Sequence, residues 1–118
     1  MTVEADLFNA LKALVANRAF PDVAPAGTVR PYITYQQAGG ESVVFMERAA
    51  ASMKNGRFQV NVWADTRGSA AALALQIENT LIAATTMQAT PLGSPVGAYE
   101  EDTNLFGTRQ DFSIWSNR

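Results

Sequence analysis

Three carboxylates stand in a row at Glu100-Glu101-Asp102, forming the acidic cluster of the sequence. Neighbouring carboxylates can work as a general acid and base, or bind a cation. Consecutive residues on a strand, however, point to opposite sides. No aspartate, histidine or glycine pattern nearby completes such a site, so the run reads as a solvated strand end. Asp65-x-Arg67-Gly68 has the outline of a phosphate or cation loop. One glycine ahead of a helix falls far short of a full P-loop, and the tetrapeptide reads as a strand-to-helix turn. Composition closes most other routes. With no cysteine, thiolate nucleophiles, disulfides and sulfur-ligated zinc are excluded. With no histidine, triad catalysis and imidazole-ligated metals go as well. An enzyme would need carboxylates, lysine or a bound cofactor, and no convergent group is visible. The sequence therefore reads as non-enzymatic, with no catalytic, cofactor-binding or metal-ligating residue assigned.

The remaining candidates bind rather than react. Arg48, Lys54 and Arg57 cluster around one segment and could meet phosphates or an acidic partner surface; solvent-facing charge is the plainer reading. Trp63 and Trp115 each alternate out of phase with the aliphatic face of their own strands. If helices cover the aliphatic face, both indoles lie on the other side of the sheet. Two readings stay open there: an interface between subunits, or cover by a loop or the chain ends. A small-molecule site would draw on Trp63, Tyr32, Tyr35 and Trp115.

Length and composition frame these residues. A chain of 118 residues is read as a single domain spanning 1–118, and 47% hydrophobic with 17% charged residues is an ordinary globular composition. A net charge of −2 gives no basis for wrapping DNA or docking on an anionic membrane. The start, Met1-Thr2-Val3-Glu4-Ala5-Asp6, carries two acids and no base, unlike a secretory signal, and the alanine-rich stretch 70–87 is too polar to span a bilayer. The expectation is a soluble, cytoplasmic chain.

The elements that must position these residues follow from periodicity. Val3, Leu7, Leu11 and Leu14 or Val15 predict an amphipathic helix from Thr2, its N-cap, to about Asn17. Phe20 to Gly27, with two prolines and a glycine, predicts a connection. Pro31 to Gln37 predicts a strand closed by Gly39-Gly40. Residues 41–55 are ambiguous, with a leaning to a strand that loosens into a long loop ending at an Asn55-Gly56 turn. Arg57 to Ala64 alternates cleanly, placing Phe58, Val60, Val62 and Ala64 on one face. A helix then runs to about Ala84, capped by Asp65 or Thr66, with Leu73, Ile77 and Leu81 as its stripe. Strands are expected over 85–90, 96–103 and 108–116, the last with Gln110, Phe112 and Ile114 on one face and Arg109, Asp111, Ser113 and Trp115 on the other. The order predicts an α+β domain: a mostly antiparallel β-sheet with two α-helices packed on one face.

The order and wording of these segments resemble a known family. Pro31-Tyr32-Ile33-Thr34-Tyr35, then Gly56-Arg57-Phe58-Gln59-Val60-Asn61-Val62-Trp63-Ala64 feeding an alanine-rich helix, then Arg109-Gln110-Asp111-Phe112-Ser113-Ile114-Trp115 closing the chain, are similar to the tail-completion, or head–tail joining, proteins of tailed bacteriophages and prophages. The resemblance implies a tail-terminator-like subunit without catalytic motifs or cofactors. It implies a homo-oligomeric ring, commonly hexameric, between the phage tail tube and the head connector. It also implies residence in the bacterial host cytoplasm during assembly and then in the virion. The 39–55 segment would contact neighbouring rings or subunits. Slight negative charge suits a ring lumen that lets DNA through without specific nucleic-acid binding.

Overall fold

The computed structural model describes residues 2–42 and 53–117. Helix α1 spans Val3–Leu11 and buries Leu7 and Leu11. Thr2 caps it, its hydroxyl accepting from the Ala5 N–H at 3.1 Å. The helix ends sooner than the periodicity predicts: a 3-10 turn follows over Lys12–Leu14, then Ala16 and Asn17 take positive φ. Val15 remains buried, so the apolar spacing continues although the helix does not.

A strand absent from the sequence reading comes next. β1, Ala19–Pro21, pairs in parallel with β2, Tyr32–Gln37. Three residues are too few to show a period, and only pairing with β2 makes them a strand. β3 runs over Met53–Ala64, α2 over Arg67–Ala83, β4 over Gln88–Pro91, β5 over Val96–Glu100 and β6 over Leu105–Asn117. Every pairing other than β1 with β2 is antiparallel, in the order β1-β2-β3-β6, with β4 and β5 following one another along the outer side of β6.

The expected turn at Asn55-Gly56 is instead mid-strand. Asn55 is tied across to β6, its amide donating to Ser113 Oγ at 2.8 Å. A Cβ at Gly56 would sit 2.6 Å from the Phe58 ring, so the glycine serves packing rather than reversal. β6 likewise begins earlier than expected, at Leu105. The ambiguous reading of 41–55 otherwise falls on residues 43–52, outside the described residues.

Register sets the faces. Ile33 and Tyr35 of β2 stand opposite Val62 and Val60, which stand opposite Thr108 and Gln110; Phe58 stands opposite Phe112. All of these are buried; the apolar ones form one cluster with Leu7, Leu11, Ala70, Leu73, Ile77 and Leu81 of the helices, and Thr108, Gln110 and Ser116 are buried polar residues on the same face of β6. Both helices therefore cover the same face, as the alternation predicts. Thr66, not Asp65, caps α2, accepting from Ser69 N–H at 3.1 Å. Gln110 earns its buried place by donating to Glu78 of α2 and to the Gly93 carbonyl, both at 2.9 Å, which joins the helix and the β4–β5 link to β6.

Candidate interaction surface

The odd-numbered residues of β3 and β6 and the even-numbered residues of β2 make the face that neither helix covers. Its centre is polar and internally bonded. Arg57 Nε and Nη2 reach Asp111 Oδ2 at 2.8 and 2.7 Å. Asn61 Nδ2 donates to Thr34 Oγ1 at 3.3 Å. Trp63 and Trp115 lie at opposite ends of this face. Trp63 stands opposite Gly107, and from Gly107 to Trp115 is eight steps along β6, about 26 Å at roughly 3.3 Å per residue.

Residues 22–31 explain why Trp63 is half-buried rather than exposed. A parallel β1–β2 pair needs a crossover, and here it is a loop that returns over the helix-free face. Arg30 clamps it at one end of the sheet, donating to Asp65 Oδ1 and to the Thr103 carbonyl, each at 2.9 Å. Arg18 Nε donates to the Pro31 carbonyl at 3.0 Å. Leu105, on this face, is buried and lines a cleft together with Ala24–Thr28 of the loop. Asp22, Val23 and Ala24 form one wall of a groove of about 280 Å³ whose other lining is Tyr32, Thr34, Asn61, Trp63, Glu100 and Arg109. At the far end Trp115 lines a second open groove with Gly40, Glu41, Asn55, Arg57, Leu92 and Ser113.

Burial, and after it the Glu100 carboxylate, push the Tyr32 phenol above its ordinary pKa, with Arg30 opposing. Tyr35 is raised by burial first, then by Glu4 and Asp22. A phenol is neutral at neutral pH already at its ordinary value, so these shifts bear on alkaline titration alone.

The basic candidates are separated. Lys54 projects to the helix side of β3 and is exposed, Arg57 projects to the other side in its ion pair, and Arg48 lies outside the described residues. The aromatic set divides too. Tyr32 and Trp63 share a groove, Tyr35 is buried against the helices, and Trp115 belongs to the other end, so the four do not line one pocket. Glu100 to Asp102 sit exposed where β5 turns into β6, with Glu100 Oε1 accepting from Thr103 Oγ1 at 2.9 Å. Asp65 to Gly68 is the strand-to-helix junction.

Two arginines that organise this region carry no local signal in the amino-acid sequence. Arg67 donates to the carbonyls of Gly107 at 2.9 Å and Ala98 at 3.0 Å, and its guanidinium lies 5.6 Å from the Phe106 ring centre, so it staples β5 to β6. Arg30 fastens the crossover loop. Their partners lie 31 to 73 residues away, beyond any local spacing rule.

The family described as tail completion protein gp17 matches residues 7–117. No curated protein matches the sequence. Among solved structures, a chain of the virion of a native gene transfer agent particle is similar in fold, with a TM-score of 0.67 at 16% identity, covering 98% of this chain and 95% of that one.

Proposed function

We propose that this chain, which belongs to the family of tail completion protein gp17 and is thereby a structural protein of a phage tail, acts as a ring-forming subunit at the tail terminus or head–tail interface. The family match over almost the whole chain carries the reading. The physical features agree with it: a sheet covered by helices on one side only, and on the other side a polar face flanked by two half-buried tryptophans. In this reading residues 1–118 act as a single domain, and the partners are copies of the chain, possessing two different surfaces that mate under rotation, together with tail-tube and head-connector proteins. Trp63 and Trp115 supply contact area, and Lys54 and Arg57 supply charge on either side of β3. Assembly takes place in the host cytoplasm and the product is part of the virion.

The test is electron microscopy of the purified chain, alone and with tail tubes of the same phage. Rings seated on tube ends are expected. A chain that stays monomeric and leaves tube ends bare at high concentration would refute the ring.

A further inference from the structure

Asn55 alone among the asparagines of the sequence is followed by glycine, at Asn55-Gly56. Such a pair is chemically labile. The Gly56 nitrogen, with no side chain beside it to hinder approach, can attack the carbonyl carbon of the Asn55 side chain. A C–N bond forms to Cγ, the bond from Cγ to Nδ2 breaks, and ammonia leaves with the proton of the Gly56 N–H. Water then opens the five-membered imide at one carbonyl or the other, leaving an aspartyl or an isoaspartyl residue at position 55. The reaction needs only water and a chain free to close the ring.

The fold nonetheless favours both members of the pair. A Cβ at Gly56 would lie 2.6 Å from the ring of Phe58, which is buried and has little room to yield. Asn55 Nδ2 donates to Ser113 Oγ at 2.8 Å and to the Ile114 carbonyl at 3.4 Å, while Oδ1 accepts from the Glu41 N–H at 3.0 Å. One carboxamide thus ties the chain after β2 to β3 and β6. A carboxylate, which only accepts, cannot make all three bonds.

The same contacts hold the pair inert. The imide ring contains Cα, Cβ, Cγ, the Asn55 carbonyl carbon and the Gly56 nitrogen, and it closes only when Cβ and that nitrogen eclipse each other about the Cα–C bond. Extended backbone keeps the two apart, and Asn55 and Gly56 are held in β3 by pairing with Trp115 and Ile114. We infer that Asn55-Gly56 is a latent deamidation site, silent while the first residues of β3 stay paired and reactive when they open. An isoaspartyl residue adds a backbone carbon at position 55, which breaks the register of Met53 and Lys54 with Asn117 and Ser116. An aspartyl residue keeps the register and loses the donor to the Ile114 carbonyl. Either product weakens the paired state, so an opening that ends in reaction leaves a lasting mark on the groove that Asn55 lines with Glu41, Arg57 and Trp115. The inference is independent of the ring reading.

Peptide mapping by mass spectrometry tests it on the purified full chain, incubated folded and in urea at the same mildly alkaline pH. In urea, conversion at position 55 is expected to outrun that at every other asparagine. In the folded chain it is expected to be slower by about tenfold or more, since only the opened fraction reacts. Ser113→Ala, which removes one of the three hydrogen bonds, is expected to raise the folded rate several-fold and leave the rate in urea unchanged. Equal rates at position 55 in the folded and unfolded wild-type chain would overturn the inference whatever the variant does. A Ser113→Ala chain that melts like the wild type and converts no faster would overturn the part assigned to the carboxamide contacts.

Discussion

Gly107 and Gly68 are chemically the same residue with opposite demands. A Cβ at Gly107 would lie 2.6 Å from the Val62 carbonyl and 2.7 Å from the Trp63 ring, whereas at Gly68 it would meet nothing within 4 Å. Gly107→Ala therefore overpacks a backbone contact and is expected to cost about 1–3 kcal/mol. Gly68→Ala, in α2, is expected to stabilise by up to about 1 kcal/mol through helix propensity. Urea denaturation of both variants checks the pair of signs. Ala16 presents a third case: with φ at 49° its Cβ is strained in the left-handed region, and Ala16→Gly should be neutral or stabilising by up to about 1 kcal/mol in the same measurement. None of these demands is visible in the sequence. A glycine needed for space looks the same on paper as one needed for a turn, which is how Asn55-Gly56 reads as a reversal while standing mid-strand.

At the scale of elements, alternation was the dependable signal. Phe58, Val60, Val62 and Ala64 are all buried, and so are Gln110, Phe112 and Ile114, because a strand with one covered face must repeat every second residue. Val60→Asp places an unpaired carboxylate opposite Gln110 under α2 and should abolish cooperative folding; circular dichroism and a thermal melt check it, and a soluble, cooperatively melting variant would contradict the assignment of faces. Lys54→Ala, at an exposed position of the same strand, should melt like the wild type. Signals were weakest where an element depends on its neighbour. β1 has three residues and exists through β2, and the short end of α1 is decided by the chain turning toward β1.

For the molecule as a whole, alkaline titration probes both faces of the β2 strand. Tyr32 and Tyr35 have raised pKa values, so folding favours their protonated forms. The stability they contribute is full below the unfolded value of about 10 and is lost as pH rises through the higher folded values. Melting temperature should accordingly fall above about pH 10, and Tyr32→Phe with Tyr35→Phe together should flatten that fall. The absence of histidine and cysteine, the order of the helices and strands other than β1, the covered face of each long strand and the side on which both tryptophans lie were all determined by the amino-acid sequence, since each follows from residue type or from a period of two or about four. The path of residues 22–31 across the bare face, the clamps by Arg30 and Arg67, the division of Lys54 from Arg57 and the dispersal of the four aromatic residues were decided by folding. They depend on which strands become neighbours, and hydrogen bonds between residues tens of positions apart leave no local spacing to read.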